Sequence, residues 1–87
     1  MYAISRTDTF LKYLKKHKNN HELFRELDTK IQRLKENPVS VGGELAGRLH
    51  GKRSTRLGGK FRLIFEIDEN NKLVYLIALD HRSEVYK

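Results

Sequence analysis

The hydrophobic period of this chain changes at Pro38, and that change sets the order of its elements. Before Pro38 apolar residues recur every three or four positions. Leu23, Phe24, Leu27, Ile31 and Leu34 therefore share one face of a helix from about His21 to Glu36. Asn37-Pro38 ends it, because a residue before proline avoids the helical region. A shorter helix precedes it: Thr7 or Asp8 caps its start, Phe10, Leu11 and Leu14 form its apolar stripe, and Lys12, Lys15, Lys16 and Lys18 stay in water. Asn19-Asn20 separates the two, which suggests an antiparallel helix pair. Met1–Arg6, with Tyr2 and Ile4 alternating, suits a short strand.

After Pro38 the period is two. Val39–Glu44 reads as a Gly-containing loop, and Leu45–Leu57 as polar, basic chain with one or two short strands. Gly58-Gly59 marks a turn. Phe61, Leu63, Phe65 and Ile67 then alternate with Arg62, Ile64 and Glu66, a strand with one face on the core and the other more open. If those apolar residues face the helices, Arg62 points to the uncovered face. Arg56, six residues earlier across a tight turn, is expected near it. Leu73–Leu79 is apolar on both faces and reads as a central strand, after which Asp80–Lys87 leaves the sheet. The expected fold is α+β, in the order β-α-α-β-β-β: a two-helix hairpin packed on one face of a small, mainly antiparallel sheet.

Size limits the rest. Eighty-seven residues without cysteine make one domain, residues 1–87, with no disulfide framework and no Cys-based zinc site. Its radius of gyration should be about 12 Å, so a ligand works on its surface. The apolar run Leu73–Leu79 is too short to span a bilayer, and Met1–Arg6 lacks the apolar core of a signal peptide. The expectation is a soluble, cytoplasmic protein with no membrane partner.

Charge is uneven. Eighteen Lys and Arg against eleven Asp and Glu give +7. Residues 45–65 hold Arg48, Lys52, Arg53, Arg56, Lys60 and Arg62 with no acid, whereas residues 66–87 are net negative. A block of one sign concentrates positive potential, and phosphate backbones or acidic proteins are its natural partners. His17, His21 and His50 form no ligand spacing with carboxylates, so no metal and no other cofactor is expected.

These segments, taken in order, resemble a known family. The helix pair is followed by Leu45–Gly51 (LAGRLHG), by Phe61–Asp68 (FRLIFEID), and by Leu73–Leu79 running into His81-Arg82-Ser83-Glu84-Val85-Tyr86. The arrangement resembles the RelE/ParE superfamily of toxin–antitoxin toxins over nearly the whole chain. The resemblance implies a RelE-type messenger-RNA interferase that enters the ribosomal A site and cuts the message. In the implied chemistry the ribose 2′-OH attacks the adjacent phosphate. That step needs a base, an acid for the leaving 5′-oxygen, and cations against the added phosphate charge.

Carried over by position, Arg62 matches the arginine implied to hold the scissile phosphate, through a charge that cannot be lost and a fork that donates two hydrogen bonds. Arg56 matches a basic residue of the preceding strand. Counted forward from the strand, Arg82 matches the C-terminal catalytic arginine; counted back from Tyr86, that position falls on Asp80. His81 is the candidate base or acid, and Tyr86 matches a terminal tyrosine implied to stack on a base or orient the nucleophile. Glu44 stands near a position where some relatives use a carboxylate as general base, with its spacing shifted by one. Arg48, Lys52, Arg53 and Lys60 read as phosphate contacts to messenger or ribosomal RNA.

The resemblance also implies partners. They are an acidic, partly disordered cognate antitoxin, the ribosome with its mRNA, and a toxin–antitoxin hetero-oligomer able to bind operator DNA. Two alternatives share the fold: a ParE-type inhibitor of DNA gyrase, and a non-toxic binding module in a repressor complex.

Overall fold

The computed structural model describes residues 1–45 and 51–81, with Asp80 and His81 described by backbone only. Its elements run β1 (Ala3–Arg6), α1 (Asp8–Lys16), α2 (His21–Glu36), a single 3-10 turn (Pro38–Ser40), β2 (Gly43–Glu44), β3 (Arg53–Leu57), β4 (Phe61–Asp68) and β5 (Leu73–His81). The strands form one sheet in the order β1-β5-β4-β3-β2. β1 runs parallel to β5, and the other three pairs are antiparallel. Both helices pack on one face of this sheet, α1 chiefly on β5 and α2 against β1 and β3. The α+β architecture expected from the sequence is therefore the one observed. The Cα radius of gyration is 12.1 Å.

Local chemistry accounts for the helices. The Thr7 side chain accepts from the Phe10 amide at 3.2 Å, and its hydroxyl donates to the Leu76 carbonyl at 2.8 Å. One residue thus caps α1 and ties it to β5. Asn20 caps α2 by accepting from the Leu23 amide. Leu23, Leu27, Ile31 and Leu34 are buried along α2, as their spacing requires. In α1 the stripe differs from the expected one. Phe10 is fully buried, and Tyr13 and Leu14 pack against the core, but Leu11 is 45% exposed. Leu11 lies about 100° around the helix from Phe10, so the face that meets the sheet is 10, 13, 14 and 17. His17 accordingly sits edge-on to Phe61, with ring centroids 5.0 Å apart.

The sheet half of the core is Leu57, Leu63, Phe65, Val74, Leu76 and Leu79. The last three sit at uneven spacing because β5 is bulged: Ile64 pairs with Ala78, but Phe65 pairs with Leu76, which leaves Ile77 as an extra residue. The bulge resets the alternation, so Leu79 joins Val74 and Leu76 on the helix side.

Polar composition suggested that the chain leaves the sheet at Asp80. Instead β5 continues to His81, because β4 still offers partners: Arg62 pairs with Asp80 and Phe61 with His81. The loop Val39–Glu44 likewise contains the end of the 3-10 turn and the two-residue β2. Among the described residues no helix is long and apolar enough to cross a membrane.

Candidate functional site

The β3–β4 hairpin builds the site. Its turn, Gly58–Lys60, needs Gly58 at φ +61°, a backbone region that glycine enters without penalty. The tight turn fixes the register, and Arg56 becomes the direct backbone partner of Arg62. Alternation along β3 and β4 puts Ser54, Arg56, Arg62 and Ile64 on the sheet face away from the helices.

That face is less bare than alternation alone suggests. Ile64 is 4% exposed and Ser54 6% exposed. The Arg62 side chain is half-buried, and its Nη1 donates to Ser54 Oγ at 3.2 Å. Glu66, on the same face of β4, is paired with Lys52, Nζ to Oε1 at 3.3 Å. Arg56 is exposed. Two like charges directly opposite on neighbouring strands repel, and an anion held between them removes that repulsion. This arrangement suits a phosphate.

The other candidate residues are placed differently. Arg53 has the opposite parity to Arg56, and its Nη2 donates to the carbonyls of Val39 at 3.0 Å and Gly42 at 3.4 Å. It holds the loop before β2 to the sheet. Lys60 is exposed on the hairpin turn, beside an open hollow of about 320 Å³ that also touches Glu22, Glu26 and Leu57. Glu44 is exposed on β2, opposite Arg53 in register. β5 brings the backbone of Asp80 into the Arg56–Arg62 row and that of His81 into the next row, beside Phe61. Arg48, Arg82 and Tyr86 lie outside the described residues, as does His50. Among the described residues no group of three or more His, Cys, Asp or Glu is placed to hold a metal.

A family profile described as the ParE toxin of the type II toxin–antitoxin system matches residues 4–86. The chain belongs to the RelE/ParE superfamily of type II toxin–antitoxin toxins. Toxin RelG of Mycobacterium tuberculosis is 35% identical over 54 residues, 62% of this chain; the match spans 61% of RelG's own length. In the crystal structure of the toxin–antitoxin complex RelBE2, also from M. tuberculosis, one chain is similar at 29% identity and a TM-score of 0.72, over 93% of this chain and 98% of that one. The fold is shared more widely. YafQ from E. coli superposes with a TM-score of 0.81 over the full length of both chains at 16% identity.

For a RelE/ParE toxin, the geometry adds one residue that the sequence did not single out. Ser54 accepts from Arg62 and so aims the guanidinium along the sheet. The available signal was its place two residues before Arg56, hence on the same face. The β5 bulge is the second feature missed. It lets Leu79 stay in the core while position 80 enters the Arg62 row.

Proposed function

We propose that the chain is a ribosome-dependent endoribonuclease, which cuts messenger RNA in the A site and so inhibits translation. The reading is carried by one observation: Arg56 and Arg62 are paired in register on the sheet face opposite the helices. Attack of a 2′-OH on the adjacent phosphate adds negative charge at the phosphate oxygens. Two fixed cations there stabilise the pentavalent state more than the ground state, which is the condition for faster chemistry. In this reading Arg62, oriented by Ser54, grips the scissile phosphate, and Arg56 neutralises the developing charge. His81 exchanges the protons, Arg82 supplies a further cation, and Tyr86 stacks on the message. Arg48 and Lys60 contact RNA phosphates, joined by Lys52 and Arg53 where RNA phosphates replace their partners within the chain. No metal or cofactor enters the reaction.

The toxin would act in the cytoplasm, where its ribosomal target lies. Its partner is an acidic, partly disordered antitoxin that covers the basic face, in a hetero-oligomer that binds operator DNA. The similar RelBE2 chain is part of a toxin–antitoxin complex, which supports that partnership. In a reconstituted translation reaction the purified toxin should cleave message only when ribosomes are present, and Arg62→Ala should abolish cleavage. A second reading, inhibition of DNA gyrase, is favoured by the ParE description of the matching family. Loss of negative supercoiling by gyrase, with intact message, would select it.

A further inference from the structure

The cleavage reading uses the sheet face and leaves a second basic surface unexplained. α1 carries Lys12, Lys15 and Lys16, and Lys18 lies two residues beyond its end; all four are exposed. Among the described residues none of these side chains has an ion pair or hydrogen bond. The only acid in α1 is Asp8. Lys12 and Lys16 are four apart and Lys12 and Lys15 three apart, so they are neighbours on the helix surface and repel each other. Cations near a helix C-terminus compensate its dipole, which accounts for Lys15 and Lys16. It does not account for Lys12, one turn earlier, or for Lys18, beyond the helix end.

The support beneath these lysines is rigid. Phe10 is fully buried, and Thr7 bonds the start of the helix to β5. The backbone that carries Lys12 and Lys16 is therefore held in place, with these two about 6 Å apart along the axis by helical rise. What they present is nearly pure charge. The one large apolar residue exposed in α1 is Leu11, and the helix's aromatic residues, Phe10 and Tyr13, pack on the core. A disordered acidic peptide that folds on binding needs apolar anchors to offset its ordering. A membrane helix needs a free apolar face, which α1 spends on the core. A rigid polyanion of high charge density needs neither.

Location separates this surface from the cut. α1 lies on the helix side of the sheet, and Arg56 and Arg62 lie on the other. We infer that the α1 lysines form a second phosphate-binding surface that docks folded RNA, while the opposite face holds the message. This rests on the cleavage reading for the source of that RNA, the ribosome, though not for its chemistry.

The test uses the Arg62→Ala protein as parent. It is compared with the same protein carrying Lys12→Gln, Lys15→Gln, Lys16→Gln and Lys18→Gln, and with one carrying Arg at the four positions. Each is titrated against an RNA duplex of about 16 base pairs and against 70S ribosomes over a range of salt. For the glutamine protein, the slope of log affinity against log salt on the duplex should fall by about 3, with affinity reduced roughly tenfold or more at low salt, and the arginine protein should match the parent. If the glutamine protein does not fold, the pair Lys12→Gln and Lys18→Gln should give about half that change in slope. An unchanged slope and affinity in a folded glutamine protein overturns the inference. So does lysine-dependent binding of a polyglutamate peptide without lysine-dependent binding of RNA. Lysine-dependent duplex binding, with no ribosome binding by any of the proteins, upholds the surface and overturns the ribosomal reading instead.

Discussion

Arg62 is useful only if its guanidinium is aimed, and Ser54 is the side chain seen to aim it. Replacing Ser54 with Ala leaves a half-buried arginine without that acceptor. The expected cost is about 1 kcal/mol of stability, with cleavage reduced several-fold while ribosome binding is retained; chemical denaturation and a cleavage time course measure the two. A second residue-level effect lies at the far end of the hairpin. The Asn71 side chain donates to Asp68 at 2.8 Å and its backbone amide donates at 3.2 Å, and these bonds hold the Asp68 carboxyl below its usual value. A depressed carboxyl adds stability above its unfolded pKa and loses it as pH falls through the folded one. Asn71→Ala should therefore move the Asp68 titration up toward the ordinary carboxyl range, read by carboxyl NMR; no movement would mean that the Asn71 side chain is not the cause. Arg53 shows what charge alone misses. Charge placed it among the RNA contacts, whereas its guanidinium reaches two backbone carbonyls of the neighbouring loop.

Elements were legible where a pattern repeats and obscure where it occurs once. Five apolar residues at helical spacing define α2, and four alternating ones define β4, so both emerge from the sequence. The Arg56–Arg62 pairing follows from β4 together with the Gly58-Gly59 turn. β2 has two residues and no periodicity to read, and the single extra residue at Ile77 is hidden inside an unbroken apolar run. The parallel pairing of β1 with β5 is set by the packing of the helices between them, not by a local signal. Around β2, Gly42 carries the constraint. Its φ is +69°, and a Cβ there would collide with the carbonyl oxygen of Ser54. Gly42→Ala should destabilise the protein by about 2 kcal/mol or more, seen as a lower denaturation midpoint. Because that collision presses on the residue that aims Arg62, cleavage should fall with it. A neutral result would mean that β2 is not needed to hold β3.

For the whole molecule, the +7 charge resolves into separate surfaces. The hairpin face carries Arg56 and Arg62, α1 and the residues just after it carry four lysines, and Lys52 and Arg53 are engaged within the chain. Among the described residues the arginine pair lies on an open sheet face. In the proposed cleavage reading a deep pocket is not needed, because a substrate held and oriented by a larger body leaves the toxin to contribute only charge and proton transfer at a preformed geometry. The fold was legible from element order and the family from ordered motifs, but the site was legible only in part. Its first half lies on a hairpin fixed by register, while Arg82 and Tyr86 lie beyond His81 and outside the described residues. The most direct test is to map message ends in cells after brief expression of the toxin, alongside an Arg62→Ala control. New 5′ ends confined to translated regions, absent with Arg62→Ala, are the predicted result. Growth arrest with an unchanged set of message ends, or new ends that persist in Arg62→Ala, would contradict it.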